Sequence, residues 1–98
     1  MNEQAIQNDA ELQRILWACY DYWRREEGPP AERMICHYWV IDPYRDRFGG
    51  TFHQAKLRRL ANLGFLRELY TVRGGSRRYY AIENPERVEQ LLNAWRLN

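Results

Sequence analysis

Arg58 and Arg59 stand side by side in GGTFHQAKLRRLANLGFL (49–66), and Arg73, Arg77 and Arg78 bracket two glycines in RGGSRRYYAI (73–82). A guanidinium group is planar and permanently charged, and it can hold a phosphate or a guanine edge with two parallel hydrogen bonds. An asparagine or glutamine can pair with an adenine edge in a related way, and an alanine can touch a thymine methyl. The chemistry on offer here is recognition of a polyanion, not bond making. The charge distribution agrees. Formal charge is only +2 overall, yet between His53 and Arg78 seven basic residues face one acid, Glu68, a local excess of +6. The rest of the chain carries 8 basic and 12 acidic residues, a balance of −4. One basic face with an acidic remainder is the electrostatic footprint of a phosphate-binding surface, with an ordinary solvated face as the alternative.

Catalysis has no such support. There is no phosphate-cradling glycine loop, nucleophile elbow or His-Glu-x-x-His motif, and Glu26 and Glu27, adjacent on a helix, point in different directions. The sequence therefore reads as a non-enzyme. Cys19 and Cys36 lack metal-like spacing and read as reduced core thiols; His37 adjoins Cys36 but its nearest further ligands are far away in sequence. His53 reads as a half-buried structural histidine, so neither a metal nor another cofactor is expected.

The elements that must position these groups follow from pattern. At 98 residues, with 45% apolar, 14% aromatic and 29% charged side chains, the chain suits one globular domain over 1–98. No apolar run approaches the roughly 20 residues of a membrane span, and MNEQAIQNDA does not resemble a signal peptide, so a cytoplasmic location is expected. Asp9 can cap a helix over about 10–27, with Leu12, Ile15, Leu16, Cys19, Tyr22 and Trp23 on its buried face. Gly28-Pro29-Pro30 ends it. The stretch 31–41 is read as a helix burying Met34, Ile35, Tyr38 and Trp39, with a short buried strand as the alternative because ICHYWVI is rich in β-branched and aromatic residues. DPYRDRFGG then reads as a connector.

Thr51 and Gln54 match a capping box, which starts a helix over about 51–63, and Gly64 suits its left-handed end. At 100° per residue, His53, Leu57, Leu60 and Ala61 share one side of this helix, Ala55, Arg58, Arg59 and Asn62 lie opposite, and Lys56 lies toward an edge. FLRELYTV and RRYYAI, joined by RGGS, read as a β-hairpin over about 65–83. Asn84 and Pro85 start a last helix over about 85–97, whose stripe of Val88, Leu91, Leu92 and Trp95 must dock on something. Leu91, Leu92 and Trp95 are the candidate dimer surface; packing against the first helix of the same chain is an equal alternative.

The resulting fold class is α+β and mostly helical, in the order of a winged helix-turn-helix: three helices, a β-hairpin wing and an extra C-terminal helix. In that architecture the third helix enters the DNA major groove and the wing lies on the backbone or minor groove. Leu57, Arg58, Arg59, Leu60, Gly64, Phe65 and Leu66, followed by Arg77, Arg78, Tyr79 and Tyr80, resemble the recognition helix and wing of PadR- and MarR-type transcription regulators. The chain departs from their pattern at His53 and in its longer connector. The resemblance implies double-stranded DNA as partner, approached by Gln54, Ala55, Lys56, Arg58 and Arg59 from the helix and by Arg73, Arg77 and Arg78 from the wing; Thr51, Asn62 and Ser76 complete the candidate DNA-binding set. A small prokaryotic, phage or plasmid regulator, acting as a homodimer on two half-sites, is the expected function. A winged-helix module that binds a protein partner instead, or a structured RNA, would use the same basic face.

Overall fold

The computed structural model of the chain describes residues 1–30, 33–36, 40, 54–69 and 78–97. Among these residues the elements are α1 (Glu3–Gln7), α2 (Ala10–Arg25), β1 (Ile35–Cys36), α3 (Gln54–Asn62), β2 (Leu66–Glu68), β3 (Tyr79–Ile82) and α4 (Pro85–Ala94). The architecture is α+β and mostly helical, four helices with a small three-stranded antiparallel sheet in the order β1-β3-β2.

α2 begins where its cap dictates: Asp9 Oδ1 accepts the amide of Leu12 at 3.0 Å, which satisfies one of the donors that a helix start leaves open. Its buried face carries Leu12, Ile15, Leu16, Ala18, Cys19, Tyr20 and Trp23, at the three- and four-residue steps that keep one stripe turned inward. Ile15, Leu16 and Cys19 are fully buried, and a residue of the size of Ile15 or Leu16 contributes roughly 1.5–3 kcal/mol on burial. The helix ends at Arg25, two residues short of the expected boundary, with Glu26 extended and Gly28 at a φ of +96°. Arg33 closes the turn, donating from Nε to the Gly28 carbonyl at 3.0 Å while its guanidinium lies 5.0 Å from the Trp23 ring centroid.

The region after that turn corrects one expectation. Ile35 and Cys36 form a strand, not part of a helix, pairing antiparallel with Tyr80 and Tyr79. β1 supplies hydrogen bonds to the outer side of β3, and both of its residues are buried; for so short an apolar run, pairing outweighed the helical spacing of Met34 and Ile35. Met34 is exposed, whereas the helical reading buried it. The Tyr38 and Trp39 part of that reading, the connector over 42–50, the Thr51 half of the capping box, and the RGGS turn lie outside the described residues.

α3 leads directly into the hairpin. Gly64, with a φ of +88°, donates to the Ala61 carbonyl and Phe65 donates to the Leu60 carbonyl, each at 3.0 Å. This pair of bonds is the glycine-closed helix end in which the residue after the glycine packs on the last turn, and Phe65 and Leu60 are both fully buried. β2 then pairs with β3 in the register Leu66↔Ile82, Arg67↔Ala81 and Glu68↔Tyr80. The ladder extends at both ends, Leu69 donating to Tyr79 at 2.7 Å and Glu83 to Phe65 at 3.1 Å.

α4 starts as expected, with Asn84 Oδ1 accepting the Arg87 amide at 3.2 Å and Pro85 in the first turn. Its stripe docks on the chain itself: Val88 and Leu92 are fully buried, Leu91 is 8% exposed, and α4 packs against α2. A short helix that the sequence pattern did not suggest, α1, covers the same end, capped by Asn2 and burying Ile6. The Glu3 carboxylate receives two donors from Arg87, Nε at 2.7 Å and Nη2, which ties α1 to α4.

Two predictions follow from this packing. At Gly64 an added Cβ would lie 3.1 Å from the Met1 backbone, and the positive φ is itself unfavourable for a side chain. Gly64→Ala should therefore lower unfolding stability by about 1–2 kcal/mol in urea titrations. Hydrogen bonding from Arg87 holds the Glu3 carboxyl below its ordinary range. A carboxyl with a depressed folded-state pKa adds stability above its unfolded pKa and loses it as pH falls through the folded value. Between about pH 5 and pH 3, the unmodified chain should lose stability more steeply than Glu3→Gln, as read by thermal unfolding at stepped pH.

Candidate nucleic-acid interface

α3 is built to present one face and bury the other. Leu57 and Leu60 are fully buried and Leu63, just past its end, is 7% exposed. Those contacts, shared with α2 and β2, fix the rotation of the helix, and the opposite face follows from the 100° step. Ala55, Arg58, Arg59 and Asn62 are all exposed, while Gln54 and Lys56 are half-buried at its margins. Gln54, Ala55 and Arg58 line a shallow surface depression of about 210 Å³. The helix thus sets out two arginines, an asparagine and an alanine on one solvent-facing surface, as expected.

The charged residues divide into two groups. Arg58 and Arg59 are exposed and form no ion pair among the described residues. Lys56 is engaged, its Nζ lying 2.9 Å from Glu11 Oε1 in the first turn of α2. On the hairpin, Arg78 Nη1 lies 2.6 Å from Glu68 Oε1, and Arg67 Nε lies 3.9 Å from Glu83 Oε2. Both hairpin pairs are diagonal across the β2–β3 ladder, where antiparallel register brings such side chains within reach. The charges of Lys56, Arg67 and Arg78 are therefore partly balanced by neighbouring carboxylates.

Tyr80 is fully buried in the central strand, and its hydroxyl has no hydrogen-bond partner among the described residues. Burial pushes its pKa up, the Glu68 charge adds to that rise, and the Arg78 and Arg58 charges oppose it. Cys19 is a free thiol, buried, with its pKa pushed up by desolvation. Cys36 is likewise free and buried.

Of the other residues expected at the interface, Thr51, Arg73, Ser76 and Arg77 lie outside the described residues, as do His37 and His53. Leu91 and Leu92 belong to the chain's own core, and Trp95 is half-buried against it, so the α4 stripe has little surface left for a second copy. Glu11 and Glu68 went unassigned in the sequence. The Glu68–Arg78 pair follows from the hairpin register once that is known, but nothing in the local pattern signals that Glu11 meets Lys56. Among the described residues, no group of three or more His, Cys, Asp or Glu side chains is arranged to hold a metal ion, and no helix is long and apolar enough to cross a membrane.

No protein-family model matches the chain, no curated protein is significantly similar to it, and no solved structure is significantly similar to it. The site must be read from its own chemistry.

Because Arg58 and Arg59 are exposed and form no ion pair among the described residues, replacing both by alanine should change unfolding stability by less than about 0.5 kcal/mol. Chemical denaturation of the double variant checks this, and a larger loss would show that the two arginines support the fold.

Proposed function

We propose that this chain binds double-stranded DNA as a small transcription regulator of the winged helix-turn-helix kind, resembling the PadR and MarR types, with α3 in the major groove and the β2–β3 hairpin against the backbone. The observation that carries this reading is the exposed α3 face with two arginines that form no ion pair among the described residues, set opposite the buried Leu57 and Leu60. A helix whose rotation is fixed by its core side delivers its outward residues at a constant height and angle, as base reading requires. Arg58 and Arg59 supply bidentate donors for guanine N7 and O6, Asn62 and Gln54 supply donor and acceptor pairs for adenine, and Ala55 allows close approach to a thymine methyl. Arg78, with Arg73 and Arg77 of the wing sequence, supplies the phosphate contacts that position the reading helix.

Two further features support the reading. The base of the hairpin follows α3 after a single glycine-closed turn, which keeps the helix and β2 adjacent. The long connector and the wing tip frame the same basic segment in sequence. A single module of this size buries a small DNA interface, so tight binding calls for two copies on adjacent half-sites. Leu91 and Leu92 are already enclosed, which leaves such pairing to other surfaces.

Fluorescence anisotropy of labelled duplexes, titrated at several salt concentrations from about 50 mM upward, tests the proposal. Binding should weaken linearly in log–log form with salt. Arg77→Ala with Arg78→Ala should flatten the slope by about one to two units, whereas Arg58→Ala with Arg59→Ala should reduce discrimination between sites selected from random duplexes. Salt-insensitive or undetectable binding at about 50 mM salt would instead identify a protein-interaction module, and preferential competition by structured RNA would identify an RNA partner.

A further inference from the structure

Two of the cations assigned to the interface are already occupied, and their occupants share a chemistry. Lys56 Nζ is held at 2.9 Å by Glu11 and Arg78 Nη1 at 2.6 Å by Glu68, and each acid belongs to a different element from its cation. All four side chains are between 36% and 41% exposed, so solvent and ligands reach both pairs. To a lysine or arginine, a carboxylate oxygen and a phosphate oxygen are the same kind of ligand: anionic, compact and accepting.

The surroundings of each acid strengthen the parallel. Glu11 lies in the first turn of α2, where the open amides and the helix dipole favour an anion independently of Lys56. Glu68 lies at the sheet position paired with Tyr80, two places along the ladder from Arg78, its guanidinium partner. The Glu11 position therefore offers more than one source of positive potential to a single negative group, and the Glu68 position offers a guanidinium fork.

We propose that Glu11 and Glu68 stand in for two DNA backbone phosphates: each occupies, in the free protein, the position that a phosphate oxygen takes in the complex, and each is displaced when the duplex arrives. This assignment rests on the DNA-binding reading above and deepens it by locating two phosphate positions, one at the α2–α3 junction and one at the base of the hairpin. It also defines the role of the acids. They lower affinity for any polyanion alike, while leaving Arg58 and Arg59 unopposed for base edges. Sequence-independent attraction is reduced relative to sequence reading.

The test is duplex binding by Glu11→Gln and Glu68→Gln, which keep the shape and remove the charge. An exposed ion pair is worth about 0.2–1 kcal/mol, so each substitution should tighten binding at low salt by about 1.4- to 5-fold, and the double variant by roughly the product. Because the same phosphates are neutralised before and after substitution, the slope of log affinity against log salt should stay unchanged. Unchanged or weaker binding would overturn the proposal. So would a slope steeper by about one unit per substitution, since the cations would then be new contacts made only when their acids are gone. An equal gain from Glu89→Gln, on α4, would reduce the effect to net charge and also overturn it. Binding by the unsubstituted chain without the gain removes this inference alone; absence of binding by the chain and every variant removes the DNA reading and this inference together.

Discussion

The apolar face of α2 is the constraint on which the rest of the structure depends. A sixteen-residue helix with a continuous stripe of large side chains cannot remain exposed to water, since each buried residue of that size is worth roughly 1.5–3 kcal/mol. Every other element takes part in covering it or in holding what does. α1 and α4 close one end and are tied to each other by Glu3 and Arg87; α3 lies along another side through Leu57 and Leu60; β1 and β3 fill the remainder with Ile35 and Tyr80. The orientation of the arginine-bearing face of α3 is thus a by-product of core burial. Its outward residues need no contacts of their own to be held in place.

Charge is arranged on a different principle from packing. Asp21, 4% exposed, is the buried carboxylate of the core and is held by Arg24 and Arg25 one turn along the same helix. Both of these arginines lie on α2 itself, three and four residues along. The pairs at Lys56 and Arg78 are surface pairs between elements, with modest energies and access to solvent. The first kind fixes a structure, whereas the second can be exchanged for an external ligand at small cost. The contrast separates the two roles that charged residues have here.

Helix termini were the most legible part of the sequence, because capping is local chemistry. Asp9, Asn84 and Gly64 each mark a boundary through a hydrogen bond or a backbone angle that depends on one or two neighbours. The outward set Ala55, Arg58, Arg59 and Asn62 was legible for a related reason: helical spacing, once the buried leucines are chosen, leaves no freedom. β1 was read as helix with a short strand as the alternative, because two residues give too little pattern to tell them apart, and its strand identity comes from pairing with Tyr79 and Tyr80 more than forty residues later. α1 was missed because five residues with one buried side chain give no periodic signal. Glu11 meeting Lys56 is a tertiary coincidence of two helix ends. The dimer stripe was open to two readings in the sequence, and burial of Leu91 and Leu92 against α2 resolved their packing.

The glycine-closed turn at 63–65 leaves no slack between a helix and a strand. A residue gained or lost there would turn α3 by about 100° relative to β2, or move the strand by one place and exchange its inward and outward faces. Either Leu57 and Leu60 would leave the core or Leu66 would lose its place opposite Ile82. Variation in length along this chain is therefore confined by geometry to other joints. The helix carrying Arg58 and Arg59 and the hairpin carrying Arg78 keep a constant phase with each other, in the manner of two teeth cut on one wheel.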